Sequence, residues 1–203
     1  MSVQDTSLNP KITESAIKEF LEYGYLNASV KRICENAGVT TGALYKRYKG
    51  KEDLFDSIIE PIYDKLEKLS DNRISNTLKI LESKELEKFW SNPIETYKYQ
   101  INYLYDHYEG MRLLLCSSEG TKHSGFLHGF VTKITNLTYE IIEEIYKRGL
   151  SCSLMDKDTL HMLLTAYWTT IFESIIHSDS REVALKKSET IAVFFNWSKV
   201  FGF

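Results

Sequence analysis

The chain has 203 residues, of which 43% are hydrophobic and 26% charged, and its formal net charge is −3 at pH 7. This composition excludes an extended disordered chain, because there is enough apolar surface to build a core without a disulfide or a structural metal. The three cysteines, Cys34, Cys116 and Cys152, are far apart and odd in number. We therefore expect free thiols in a reducing compartment.

No segment of the sequence has the length and apolarity of a membrane span. The most apolar stretch, residues 160–176, is interrupted by His161 and Glu173, and a span requires about 20 uncharged apolar residues. Residues 1–10 are polar and lack the apolar stretch of a signal peptide. We expect a cytoplasmic protein with no membrane contact.

Apolar residues recur mostly at spacings of three and four, which predicts an all-α protein. The first helix is expected to start after Pro10 and to end at Gly24. Ser29 is a predicted N-cap for a second helix that Gly38 ends. Thr40 or Thr41 then caps a short third helix over residues 42–48.

The remaining pattern predicts six more helices, which makes about nine in total. They are expected near residues 51–70, 74–88, 93–108, 124–148, 157–177 and 181–199. Pro61 lies inside the fourth helix and is expected to kink it or to end its first half, because proline removes a backbone hydrogen bond.

Positive charge is concentrated near the amino terminus. Residues 27–51 contain six basic residues and a single acidic one, Glu35, although the whole chain is acidic. A local basic patch of this kind is typical of phosphate binding. The change of composition near residue 55 predicts two domains, residues 1–55 and residues 56–203.

Two short helices joined by a glycine-containing turn, the second of them basic, predict a helix-turn-helix motif at about residues 29–48. In this motif the second helix enters the major groove and its first residues reach the base edges. The residues available for this role are Thr40, Thr41, Gly42, Ala43, Lys46 and Arg47.

The stretch from Ala37 to Leu54 resembles the signature of TetR-family transcriptional regulators, and the resemblance covers about residues 10–56. It implies that Tyr45 and Lys51 bind phosphates and that Lys31 faces DNA. Two departures are Arg47, where the family often has histidine, and Tyr48, where phenylalanine is common, so the base preference cannot be transferred. The complete predicted DNA-binding set is Ser29, Lys31, Thr40, Thr41, Gly42, Ala43, Tyr45, Lys46, Arg47, Lys49 and Lys51.

The C-terminal helical domain is predicted to dimerise and to bind a ligand. Its helix at 157–177 has an apolar stripe wider than one core requires, and the resemblance implies a four-helix interface between two copies, although plain core packing remains an alternative. The predicted interface residues are Leu164, Trp168, Ile171, Phe172, Ile175, Phe194 and Phe195.

Aromatic residues in the middle helices predict a mostly apolar pocket for a small molecule, with ordinary core packing again as the alternative. The candidates are Trp90, Tyr97, Tyr103, Phe126, Phe130, Tyr139 and Trp168. His123 and His128 are five residues apart, which does not place two metal ligands on one helical face. We therefore predict neither a metal site nor a cofactor.

The sequence contains no P-loop, dinucleotide-binding glycine motif or Ser-His-Asp signature, so we predict that the chain is not an enzyme. The predicted function is a ligand-responsive repressor that binds a palindromic operator as a homodimer and is released by a small molecule. One alternative is a helical signalling or enzyme-like protein that uses the helix-turn-helix fold only to bind another protein. Another is a DNA-binding activator or metal sensor.

Overall fold

The computed structural model describes residues 8–80, 93–150 and 154–201. All regular elements within these residues are helices, which confirms the predicted all-α class. The described residues form ten helices: α1 (Asn9–Asn27), α2 (Val30–Ala37), α3 (Thr41–Tyr45), α4 (Lys51–Ile80), α5 (Pro93–Tyr105), α6 (Tyr108–Cys116), α7 (Phe126–Lys147), α8 (Lys157–Ile176), α9 (Arg181–Phe194) and α10 (Trp197–Phe201).

The chain divides into two compact units. Unit 1 is the described part of Met1–Lys65 together with His107–Gly125, and unit 2 is the described part of Leu66–Asp106 and Phe126–Phe203. The expected boundary near residue 55 falls inside α4, which runs on as one helix. Unit 1 is also discontinuous in sequence, because the segment with α6 joins it from the middle of the chain.

The core of unit 1 is built from the apolar faces of its short helices. Ile12, Ala16 and Phe20 form the predicted row on α1, and all three are fully buried. Phe20 packs edge-on against Phe55 of α4, with 5.0 Å between the ring centres. α6 packs against α1 as well, and its Met111 is fully buried. These contacts give the helix-turn-helix segment a rigid base.

The helix boundaries are close to the predictions where a capping or turn residue marks them, and they differ from the predictions elsewhere. Gly24, where the first helix was expected to end, leaves the helical conformation with φ of 70°, but α1 continues to Asn27. α4, however, continues through Pro61 to Ile80, where two separate helices were predicted. The expected helix at 74–88 therefore begins inside α4, and its end lies outside the described residues.

Two further departures concern α6 and the end of α9. The predicted helix 93–108 ends at Tyr105, and α6 follows as a separate helix in which Gly110 allows a close approach to α4. A Cβ added to Gly110 would lie 1.7 Å from Cδ1 of Ile62. Near the carboxyl end, the predicted helix 181–199 is divided at Phe195, and Asn196 Oδ1 accepts a hydrogen bond from the Lys199 N–H at 3.2 Å to begin α10.

Unit 2 consists of helices held by aromatic contacts and a few long-range hydrogen bonds. α7 packs on α8, and α9 packs on α5. The Tyr97 hydroxyl donates to the Phe195 carbonyl at 3.0 Å, and the Tyr105 hydroxyl donates to the Asp179 carbonyl at 3.0 Å. Among the described helices, none is long and apolar enough to cross a membrane.

Candidate nucleic-acid interface

A buried carboxylate joins α1 to the beginning of α2. The side chain of Glu19 is 2% exposed. It accepts hydrogen bonds from the Ser29 backbone N–H at 2.7 Å and from Arg32 Nε at 2.8 Å, and Arg32 Nη2 lies 2.6 Å away. This hydrogen bond raises the pKa of Arg32. The angle at which α2 leaves α1 is therefore set by an ion pair as well as by apolar packing.

Local capping then defines the turn between α2 and α3. Ser29 caps α2 by accepting from the Arg32 N–H at 3.4 Å, and Gly38 ends α2 in the left-handed conformation with φ of 67°. Thr40 caps α3 by accepting from the Ala43 N–H at 3.1 Å. Side-chain caps of this kind satisfy helix-terminal N–H groups, so these two short helices begin where the sequence predicted.

The turn and α3 present a polar and cationic surface. Leu44 is fully buried beneath it, whereas Tyr45 is 54% exposed. The Lys31 side chain is 81% exposed and forms only a loose 3.7 Å ion pair with Glu35. We call this exposed set the recognition face: Lys31, Thr40, Thr41, Gly42, Tyr45, Lys46 and Lys49.

The other predicted DNA contacts are half-buried and already hold the domain together. Ser29 is the cap of α2, and Ala43 lies at the edge of the recognition face. Arg47 Nε donates to Asn9 Oδ1 at 2.9 Å, and its Nη1 donates to the Ala43 carbonyl at 2.8 Å. The Arg47 guanidinium therefore joins α3 to the start of α1. That it reads a base remains a prediction.

Lys51 has a role that sequence reasoning missed. Its ammonium donates to the carbonyls of Tyr25, Leu26 and Ala28 at 2.7, 3.1 and 3.1 Å. All three N–H groups of the ammonium are thus engaged with the end of α1, where backbone carbonyls lack helical partners. Burial lowers the pKa of Lys51, while the three acceptors require the charged form. A phosphate contact, as the resemblance implied, would compete with these bonds.

His123 and His128, which we considered as metal ligands, have other surroundings. His123 is buried and its Nε2 lies 3.0 Å from Asp56 Oδ1, while His128 is exposed and its ring contacts His161. Lys122 also pairs with Asp56, at 2.9 Å. Within the described residues no group of three His, Cys, Asp or Glu could hold a metal ion.

The structure buries most of the predicted dimer residues inside their own unit. The six buried side chains are Leu164, Trp168, Ile171, Phe172, Ile175 and Phe195. Only Phe194 is exposed, at 80%, and the neighbouring Val193 is equally exposed. Core packing therefore accounts for the six, and an interface on unit 2 would have to use other exposed side chains.

The predicted pocket residues are only partly brought together. Phe126, Phe130 and Trp168 form a buried aromatic cluster, with 4.8 Å between the ring centres of Phe130 and Trp168. Tyr97 is buried beside Tyr167, at 5.4 Å between ring centres. Tyr103 and Tyr139 are half-buried, and the Lys157 ammonium lies 5.8 Å from the centre of the Tyr139 ring. Trp90 lies outside the described residues.

Capped short helices, a left-handed glycine between them and an exposed cationic face define a helix-turn-helix protein. Residues 12–58 match the family model described as bacterial regulatory proteins of the tetR family. The amino-terminal part of the chain is therefore similar to the helix-turn-helix domain of tetR-family regulators. The domain match covers the whole candidate interface.

A curated relative agrees with this assignment. The uncharacterized HTH-type transcriptional regulator YhgD of Bacillus subtilis (strain 168) is 30% identical over 67 residues. The matched segment spans 33% of this chain and about a third (35%) of the relative's length. The similarity therefore concerns one segment rather than the whole protein.

Solved structures share the fold over nearly the whole chain. A TetR-like transcriptional regulator from Rhodococcus sp. RHA1 matches with 13% identity and a TM-score of 0.58, covering 100% of both chains. NalD of Pseudomonas aeruginosa, the secondary repressor of the MexAB-OprM multidrug efflux pump, has 19% identity and a TM-score of 0.58, covering 92% of both chains.

A third structure, FadR from Bacillus subtilis in complex with stearoyl-CoA, has 14% identity and a TM-score of 0.52. It covers 93% of this chain and 97% of that chain. At these identities the three likenesses establish the fold alone.

The ion pair of Glu19 generates a prediction about stability. Glu19→Gln keeps the shape but removes the charge that Arg32 pairs with. Because the Arg32 side chain is 44% exposed, we expect the free energy of unfolding to fall by about 1.5–3 kcal/mol, the range for hydrogen bonds to charged groups. Glu14→Gln is the matched control, because Glu14 lies on the same helix in an exposed pair with Lys18 and should change stability by less than about 0.5 kcal/mol. Denaturant unfolding measures both, and equal effects would contradict the structural role of Glu19.

Proposed function

We propose that this chain is a cytoplasmic, DNA-binding transcriptional repressor that acts as a homodimer on a palindromic operator and is released by a small molecule. The observation that carries the proposal is the recognition face. Its hydroxyl and cationic side chains are exposed on a short, capped helix, and Gly42 leaves the backbone accessible. Such a surface suits the major groove, where hydroxyl and ammonium groups meet base edges and phosphates.

The charge on this surface supports phosphate binding in particular. Lys31, Lys46 and Lys49 are exposed, and the first turn of α4, with its helix N-terminus, follows directly. Arg47 and Lys51 contribute positive charge nearby while they hold α1, α3 and α4 together. In this proposal the exposed lysines contact DNA, and the half-buried cations keep the contacting helices in position.

Substitution of Lys46 tests the groove assignment. Lys46→Ala should weaken binding to a duplex selected from a random library by about 1–3 kcal/mol if the ammonium contacts a base. If it contacts only a phosphate, binding should weaken about equally for every sequence, and the salt slope should flatten by about 0.9. Polarisation titrations over a salt series measure both quantities.

The matched control is Lys147→Ala, which removes an exposed lysine from α7 in unit 2 and should leave affinity unchanged. If the parent protein has no salt-dependent affinity for any duplex, DNA binding is excluded, and a helix-turn-helix that binds only protein becomes the better explanation.

Dimerisation is proposed to use the exposed apolar side chains of unit 2. Val183 and Phe194 lie 11 residues, about three turns, apart on one side of α9, and they are 43% and 80% exposed. Exposed apolar surface of this kind is typical of an interface. A two-fold dimer would present two recognition helices about 34 Å apart, as a palindrome requires.

Phe194→Glu should therefore convert a dimer to a monomer, raising the dissociation constant roughly thirtyfold or more, because it places a charge in the interface. Sedimentation velocity over a concentration series measures this. Tyr99→Glu is the control, since Tyr99 is 60% exposed on α5, and it should leave the dimer intact. A monomeric parent protein, or an unchanged Phe194→Glu dimer, would refute this interface.

Ligand release is proposed to pass through the segment His107–Gly125. This segment packs in unit 1, where the Tyr25 N–H donates to the Ser117 carbonyl at 3.0 Å. Its chain neighbours α5 and α7 belong to unit 2. A ligand that moves α5 or α7 would therefore pull on a segment that contacts α1.

A long acyl chain is one ligand class to test, because the aromatic interior of unit 2 is apolar and the FadR neighbour was solved with stearoyl-CoA. Stearoyl-CoA should lower the affinity for the selected duplex at least about tenfold, while coenzyme A alone should not. Polarisation titrations with each compound measure the change. No change with stearoyl-CoA would reject this ligand class and leave DNA binding unaffected.

A further inference from the structure

The aromatic core of unit 2 contains a buried hydrogen-bond donor without an acceptor. Trp168 is 5% exposed, and its Nε1 has no hydrogen-bond partner among the described residues. The indole N–H can only donate. Native proteins pair nearly all of their buried polar groups, so an unpaired one requires an explanation.

The surroundings of Trp168 are aromatic on several sides. Its ring centre lies 4.8 Å from that of Phe130, 5.5 Å from that of Phe172 and 5.3 Å from that of Tyr167. Phe126 extends the cluster by stacking on Phe130 at 5.6 Å. These rings come from the packed helices α7 and α8, so they form one apolar surface around the indole.

Two polar side chains on α7 and α8, Thr135 and Tyr167, already have partners. The Tyr167 hydroxyl donates to Gln100 Oε1. The Thr135 hydroxyl, buried on α7, donates to the Val131 carbonyl at 2.8 Å. Trp168 Nε1, in contrast, has no acceptor among the described residues, so it could donate to an incoming molecule.

We propose that the Trp168 N–H is the hydrogen-bond donor for a ligand bound among these rings, and that the ligand is an apolar molecule carrying a neutral carbonyl oxygen. Rings can accept an apolar body, and a donor-only group selects an acceptor. A carboxylate is disfavoured, because a buried charge needs a charged or multiply bonded partner and one indole N–H is neither. The inference deepens the proposed sensing role of unit 2.

The experiment compares two probes of nearly the same shape, acetophenone and ethylbenzene, which differ in the carbonyl oxygen. Both are titrated into the full chain labelled with 15N, and the indole N–H resonances are followed by NMR, with Trp168→Phe identifying the Trp168 signal. Acetophenone should move this signal downfield, whereas ethylbenzene should not. The indole of Trp197 serves as an internal reference.

Affinities supply the second readout. The ratio of acetophenone to ethylbenzene affinity should fall about tenfold in Trp168→Phe, the change that one hydrogen bond of about 1.4 kcal/mol produces. Phe172→Leu is the control, because it changes an apolar neighbour of Trp168 and keeps the indole N–H. The ratio of the two affinities should therefore stay unchanged in this variant. Using a ratio removes the difference in hydrophobicity between the probes.

An unchanged ratio in Trp168→Phe, equal movement of the Trp168 signal with both probes, or no binding of either probe would overturn the proposal. No DNA is present in these measurements. A protein that binds its operator but fails to discriminate the probes would therefore overturn this inference and leave the proposed DNA-binding function standing.

Discussion

A carboxylate removed from water has to recover its hydration energy from other partners, and Glu19 does so at the junction of α1 and α2. Its carboxylate accepts hydrogen bonds from the Ser29 backbone N–H, just before α2, and from the guanidinium of Arg32. The start of α2 fixes the place of the Gly38 turn, and that turn fixes α3. The position of the recognition face therefore depends on Glu19, a buried residue that no ligand can contact.

Positive charge in this domain serves two purposes that composition cannot distinguish. All basic residues of 27–51 contribute equally to the charge of the predicted patch. In the structure, however, Lys51 donates to backbone carbonyls, and Arg47 donates to the Ala43 carbonyl and to the Asn9 side chain. Lys31 and Lys49 remain on the exposed side. A cation that neutralises helix-end carbonyls stabilises the domain, and the same charge contributes to the field that attracts DNA.

The features that the sequence predicted well are those that local chemistry determines. Ser29, Gly38 and Thr40 could be recognised as caps and turn residues because capping needs only neighbouring backbone groups. The bonds of Lys51 could not be predicted, since they join residues more than 20 positions apart. No separate helix was predicted at α6, whose Gly110 packs closely on Ile62, a residue far earlier in the chain.

The apolar stripe of α8 shows a different limit of sequence reasoning. Its periodicity correctly predicted which side chains are buried, including Ile171 and Phe172. Periodicity does not say what covers a side chain, however, because a core and a subunit interface both favour apolar residues. The exposed Phe194 was assigned on the same pattern, and only the fold separates it from its buried neighbours.

The discontinuous character of unit 1 has a practical consequence for dissecting the molecule. A fragment ending at Lys65 would keep α2 and α3 but lose α6. The Tyr25 amide would then lack the Ser117 carbonyl, and Phe55 would lose its ring contact with His123. A single truncation therefore does not yield an intact helix-turn-helix domain. Joining residue 65 to residue 107 through a short flexible tether would instead retain both pieces of the scaffold.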